Sequence, residues 1–323
     1  MHPTEMVPVA YTVRNGIEES YHDGAVVCLE RDGSVAFSAG SPNSIIFPRS
    51  SMKPMQATAM VTAGLRLPPR LLALVCASHD GRPEHLQAAR EILASAGLNE
   101  SALCNTIDFP LDDAAARDVV RAGGVPTSLQ MNCSGKHSGM LATCVTCAWP
   151  HDESYLNPDH PLQRRITELL PELTGEAAAH IVIDGCGAPA HAMSLVGLAR
   201  GFRTIAMADD GTPARIVADA MRMHPEMVGG PTRDVTLLIS GVAGLIAKDG
   251  AEGVYAAALP DGRAIALKIA DGANRARPPL MRAALVALGV DISQVDIRAF
   301  ESPIFGHGKV VGQVRILDNL LGS

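Results

Sequence analysis

The stretch Arg49-Ser50-Ser51-Met52-Lys53-Pro54 puts a hydroxyl and an amine three positions apart, at Ser50 and Lys53. On a helix, residues i and i+3 are neighbours, so the two side chains share one face. A serine hydroxyl attacks an amide only when a base takes its proton, and an unprotonated lysine amine can be that base. A helix start suits this chemistry, because its positive end disfavours an ammonium and favours developing negative charge. Pro54 is tolerated there, since first-turn N–H groups have no intrahelical partner. The stretch predicts Ser50 as nucleophile, Lys53 as its base, and a junction where chain from a sheet enters a helical region. By itself the spacing is weak, because Ser and Lys three apart also occur on plain surface helices.

Further along, Cys76-Ala77-Ser78-His79-Asp80-Gly81 ends an apolar run in a small turn, and Lys248 precedes Asp249-Gly250. Ser78 and Lys248 can form a second proton-relay pair. The plainer alternative makes Ser78 the cap of a helix beginning near Pro83 and Lys248 a solvated turn residue. Asn132-Cys133-Ser134-Gly135-Lys136-His137-Ser138-Gly139 is dense in polar groups, starts a helical pattern and carries two glycines that allow close backbone approach, which reads as a binding loop. Its Gly-Lys is not a phosphate loop: Gln130 stands where that motif needs glycine, and neither Ser nor Thr follows Lys136. Ile183-Asp184-Gly185-Cys186-Gly187-Ala188-Pro189 ends an apolar run and opens what reads as another helix. Asp184 there can receive the ammonium of an amino acid or serve as a turn former, and Cys186 can serve a pocket or simply be buried. Cys144 and Cys147 have metal-ligand spacing but no second pair, and no His-Glu-x-x-His occurs.

Outward from these motifs, the apolar runs Ala25 to Leu29 and Val35 to Phe37 flank Arg31-Asp32-Gly33-Ser34, and Gly253 to Leu259 and Arg263 to Ala270 flank Pro260-Asp261-Gly262. Both read as hairpins. Lys309 to Leu317 alternates like one more strand, so a single antiparallel sheet built from both ends of the chain is expected. The middle reads as helical at Pro83 to Ala96, Gly135 to Ala148, Leu162 to Leu170, Pro189 to Leu198 and Pro213 to Met223, and a further helix is expected at Pro279 to Leu288. The fold class is α+β, an antiparallel sheet flanked by helices plus a largely helical lobe. Residues 1–323 form one catalytic unit, its sheet-containing lobe drawn from 1–55 and 230–323 and its helical lobe from 56–229.

With 323 residues, 47% of them hydrophobic, the chain can bury a sizeable core. A net charge of -7 with dispersed basic residues, and only 3% aromatic residues, leave neither the field nor the stacking platforms for nucleic acid. The N-terminal residues show no basic and apolar leader, and no apolar run reaches the roughly 18 residues of a membrane span. Seven dispersed cysteines suit a reducing compartment, and a cytoplasmic enzyme is expected.

Taken together the motifs resemble one family, the rhizobial-type L-asparaginases or asparaginase II family. The resemblance runs in order through Val13-Arg14-Asn15-Gly16, Glu19-Ser20-Tyr21-His22, Arg49 to Pro54, Cys76 to His79, Asn132 to Gly139, Asp159-His160-Pro161, Asp184-Gly185-Cys186, His224 to Val228, Gly244 to Gly250 and Lys268 to Gly272. It implies a fold similar to serine β-lactamases and glutaminases, and hydrolysis of L-asparagine to aspartate and ammonia. It also implies two Ser-Lys tandems, Ser50 with Lys53 and Ser78 with Lys248, and a substrate site drawing on Asp184, Asn132, Ser134 and His137. Some relatives hold zinc through two cysteines and a lysine, which match Cys133, Cys186 and Lys136 here, and relatives suggest a homodimer. Arg82 departs from the acidic residue common at its position. Glutamine or a β-lactam as substrate, and a non-catalytic amino-acid-binding protein, are the rival readings.

Overall fold

The computed structural model describes residues 5–321. Eleven strands are found among them: β1 Val7–Arg14, β2 Ile17–Leu29, β3 Val35–Ala39, β4 Ile45–Ile46, β5 His180–Ile183, β6 Pro189–Ser194, β7 Ile246–Gly250, β8 Val254–Ala258, β9 Ala264–Ile269, β10 Pro303–Gly306 and β11 Lys309–Ile316. Eight of them form one sheet in the order β10-β11-β1-β2-β9-β8-β7, with β3 added on β2; β4, β6 and β5 form a small separate sheet. Every pairing is antiparallel. Both expected hairpins form, as β2–β3 and β8–β9, and their turns place Gly33 and Gly262 at φ of 89° and 98°, a region that glycine enters without steric cost. The sheet is closed across the two ends of the chain by β2 pairing β9, with Gly24 opposite Ile269, and by β1 pairing β11.

Among the described residues the α-helices are α1 Lys53–Ala63, α2 Pro69–Val75, α3 Pro83–Ser95, α4 Asp113–Arg121, α5 Ser134–Thr146, α6 Pro161–Thr174, α7 Leu195–Ala206, α8 Pro213–Met223, α9 Pro225–Val228, α10 Asp234–Gly241 and α11 Arg277–Ala287. Strands β7, β8 and β9 are buried at every residue, because α7 and α11 both pack on the sheet. That is why these strands read as continuous apolar runs instead of alternating ones. Helices α1, α2, α5, α6 and α8 pack on one another and carry most of the middle segment.

Two local expectations change. Pro189 to Leu198 is not one helix: Pro189–Ser194 is a fully buried strand, and helix α7 starts only at Leu195, capped by Ser194 accepting from Gly197 N–H. Pairing with β4 and β5 satisfies that segment's backbone and overrides the helical preference of its alanines. The Asp184 turn therefore joins two strands and opens no helix. Gly135 and Gly139 serve packing: a Cβ on Gly135 would stand 2.5 Å from the Leu74 carbonyl oxygen, and one on Gly139 would stand 2.8 Å from Val75 Cγ2. These two glycines let α5 lie directly against α2.

Candidate active site

The turn that carries Ser50 is a single turn of 3-10 helix, Arg49–Met52, running straight into α1 with Lys53 as its first residue. Arg49 takes φ of 52°, an unfavourable conformation for a side chain with a Cβ, directly before the half-buried Ser50. Strand β7, at the edge of the sheet, holds this turn in place. Ser51 Oγ donates to the Lys248 carbonyl at 2.9 Å, and a Cβ on Gly250 would stand 2.4 Å from the Pro48 carbonyl oxygen.

Ser50 and Ser78 line one cavity of about 660 Å³, together with Asp80, Asp112, Asn132, Arg233, Asp234, Asp249, Asn274, Arg275 and Arg277. Beneath it lie two buried amines, Lys53 at 2% exposure and Lys248 at 0%. Lys53 Nζ donates to the Ala77 carbonyl at 2.5 Å and to Ser78 Oγ at 3.1 Å. Lys248 Nζ donates to Asp249 Oδ1 at 2.5 Å and to the Asp249 carbonyl at 2.8 Å. Hydrogen bonding thus joins Lys53 to Ser78, the serine of the other expected pair. The plainer alternatives lose their footing here, since α3 takes Arg82 as its N-cap with no side-chain cap bond and Lys248 is fully buried on β7.

Charge around the amines is concentrated on Asp249. This carboxylate meets Lys248, Arg233 and, at 3.6 Å, Arg277, while Arg233 also donates to the Ser78 carbonyl at 2.7 Å. Burial pulls the Lys248 amine down to about 8, with Asp249 opposing and the neighbouring Lys53 and Arg233 charges assisting. Burial likewise lifts the Asp80 carboxyl to about 6, although Arg233 stands near it. Arg82 reaches Asp80 and Asp112 only at 3.8 and 3.7 Å, as a loose cation at the rim.

Of the other expected site residues, Asn132 faces the cavity, and its carbonyl accepts from His79 N–H. Ser134 and His137 are fully buried: Ser134 Oγ pairs with His79 Nε2 at 2.9 Å, and His137 Nδ1 pairs with the Tyr155 hydroxyl at 2.8 Å. Asp184 Oδ1 accepts from Arg49 Nε at 2.6 Å, beside a second cavity of about 380 Å³ lined by Arg49, Val182, Ile183, Glu252 and Lys268. Cys133, Lys136 and Cys186 come together, with Lys136 Nζ 3.1 Å from Cys186 Sγ. A hydrogen bond from Cys133, with Lys136 and His137 adding positive charge, holds the Cys186 thiol far below its usual range. Asp80, Arg233, Asp249, Arg275 and Arg277 are cavity or charge-network residues to which the sequence reading assigned no role. Asp249 had a signal, its place next to Lys248; the three arginines had none.

Residues 10–316 match the L-asparaginase II family. The chain belongs to that family. This asparaginase II protein is accordingly an amidohydrolase with a small-molecule substrate, and none of its described helices is long and apolar enough to cross a membrane. No curated protein matches it. Among solved structures it is similar to a β-lactamase from Mycobacterium bovis, at 15% identity over 82% of this chain and 94% of the other, with a TM-score of 0.43. It is also similar to a probable glutaminase from Bacillus subtilis complexed with 6-diazo-5-oxo-L-norleucine, at 13% identity over 83% and 85% of the two chains, with a TM-score of 0.39.

Proposed function

We propose that the protein is an L-asparaginase that hydrolyses L-asparagine to L-aspartate and ammonia through an acyl-enzyme on Ser50. The observation that carries this reading is the bond between the buried Lys53 amine and Ser78 Oγ, beneath a cavity that both serines line. A neutral amine has two hydrogens and one lone pair. Donation to Ala77 and Ser78 uses the two hydrogens, and the lone pair remains for the hydroxyl of Ser50, one helical turn away.

Lys53 takes the Ser50 proton as Ser50 Oγ attacks the side-chain carbonyl carbon. The backbone N–H of Ser50 meets the developing oxyanion. Collapse of the tetrahedral intermediate breaks the C–N bond, and the proton gained by Lys53 passes through Ser78 to the departing ammonia. Water then attacks the ester with the same groups acting in reverse, releasing aspartate and restoring the Ser50 hydroxyl. Lys248, held by Asp249, is the second buried amine of the same charge network.

Ammonia release from L-asparagine and L-glutamine, measured on the wild type and Ser50→Ala, tests the reading. The wild type should prefer asparagine and the variant should lose about three orders of magnitude or more while remaining folded. A variant with near-normal turnover refutes the nucleophile.

Zinc belongs to the same proposal. Among the described residues no group of three His, Cys, Asp or Glu is placed to hold a metal, but the trio Cys133, Lys136 and Cys186 mixes two sulfurs with an amine, a donor set that suits a soft divalent ion once the protons leave. Bound there, the ion would supply positive charge that orients the substrate. Zinc should raise the melting temperature of the wild type and not of Cys186→Ser, and chelation should leave part of the activity. A cytoplasmic homodimer completes the proposal. Seven free cysteines support the compartment, and an outer strand of the small sheet, β5, with Ile183 80% exposed, supports the dimer, which sedimentation can test.

A further inference from the structure

We propose that Arg275 is the anchor for the α-carboxylate of the amide substrate, an inference that rests on the asparaginase reading. Three arginines line the cavity, and two of them, Arg233 and Arg277, are engaged by Asp249, while Arg82, loosely placed near Asp80 and Asp112, is not among the lining residues. Arg275 differs. Its Nε donates to His22 Nε2 at 2.9 Å and one Nη to Ser20 Oγ at 3.2 Å, both neutral acceptors, and among the described residues it makes no ion pair. A guanidinium has five N–H donors, so three remain for an anion, in the planar fork that matches a carboxylate.

The support behind Arg275 combines the buried His22 and Thr12 with the half-buried Ser20 and the half-exposed Asp271. His22 is 2% exposed on β2, and its Nδ1 faces Asp271 Oδ2 at 2.8 Å. With Nε2 accepting from Arg275, the ring is neutral and its one proton sits on Nδ1, donated to Asp271. Ser20 Oγ is in turn 2.7 Å from Thr12 Oγ1 on the neighbouring strand. The arrangement fixes one edge of an exposed guanidinium while the opposite edge stays free on the wall that Ser50 and Ser78 share. It also gives a joint purpose to Ser20, His22 and Asp271, residues of the sequence motifs that the Ser-Lys chemistry leaves unused.

The test compares Arg275→Met and Arg275→Lys with the wild type on L-asparagine and on β-alaninamide, which keeps the reacting amide and lacks the α-carboxylate. Arg275→Met should raise KM for L-asparagine by about 10-fold or more with kcat changed less, and the penalty should fall below about 2-fold for β-alaninamide. Arg275→Lys should recover part of the loss, because it restores charge without the fork. His22→Gln, which keeps an acceptor for Arg275, should act on KM in the same sense and more weakly. An unchanged KM for L-asparagine in Arg275→Met, or an equal loss on both amides, overturns the anchor while leaving the asparaginase reading intact. If the wild type releases ammonia from neither asparagine nor glutamine, that reading fails and calorimetry decides the anchor: L-aspartate should bind the wild type more tightly than β-alanine does, and Arg275→Met should erase the difference. No such difference in the wild type overturns the anchor.

Discussion

Lys53 Nζ lies 3.1 Å from the hydroxyl of Ser78, 25 residues further along the chain, the amine buried and the hydroxyl on the cavity wall. On the proposed mechanism, removing that hydroxyl leaves Ser50 and Lys53 in place and takes away the carrier between Lys53 and the leaving group. Ser78→Ala should therefore lower kcat by about 100-fold, less than Ser50→Ala does, with KM nearly unchanged. An amide with a better leaving group, such as the β-hydroxamate of aspartate, should show a smaller loss. Steady-state kinetics on both substrates checks this, and equal losses would assign Ser78 to structure.

Lys248 gives a pH signature in stability. Its amine is held near 8 when folded, against an ordinary 10.5. Below about pH 8 it is charged in both folded and unfolded states, so the folded state carries the full burden of a buried cation. Between about 8 and 10.5 the unfolded chain binds the extra proton, and folding gains as pH rises. Lys248→Met removes this gain but keeps Asp249 paired to Arg233 and Arg277. Urea midpoints at pH 7, 8, 9 and 10 should diverge in favour of the wild type as pH climbs.

Asp249→Asn should be far more damaging than any single lysine change. The carboxylate is the shared counter-charge of Lys248, Arg233 and Arg277, and its loss leaves three buried or half-buried cations facing one another. Breaking a buried pair by removing one partner costs about 3–5 kcal/mol. Denaturant unfolding should show a loss of at least this order, and Asp249→Glu should retain part of it.

Gly250→Ala separates activity from stability. The added Cβ would meet the Pro48 carbonyl at 2.4 Å and Ser51 at 3.0 Å, so β7 and the Ser50 turn must part. Overpacking of this kind costs about 1–3 kcal/mol. Because the displaced turn holds Ser50, the proposed nucleophile, turnover should drop by more than 10-fold, roughly as expected for a misplacement near 1 Å, while the protein stays folded by circular dichroism.

Much of this was readable from the chain itself. The Asp-Gly and Pro-Asp-Gly turns set both hairpins, and Pro83 and Pro213 mark helix starts where they were expected, since turn and cap chemistry acts over a few residues. Pro189 to Leu198 was not readable, because its strand is held between β5, its neighbour in sequence, and β4 at Ile45–Ile46, far away along the chain. Ser50 and Lys53 were legible as a spacing, whereas the link from Lys53 to Ser78 depends on how α1 and the segment after α2 come together. Arg275 had no local signature, as its meaning comes from His22 on a strand 253 positions away.

The sheet imposes an order on synthesis. Strands β1 and β2 leave the ribosome early, yet β1 needs β11 and β2 needs β9 as neighbours, so Ala10 waits for Ile316 and Gly24 for Ile269. The helices of the middle segment can form while translation continues, but β1 and β2 each keep an open edge until β11 and β9 have been made. Lys248 sits on the far side of β8 and β9 in that sheet. The Ser50 turn therefore lacks the β7 backbone that holds it until β7, β8 and β9 have docked, and docking of these strands should be the step that completes the site.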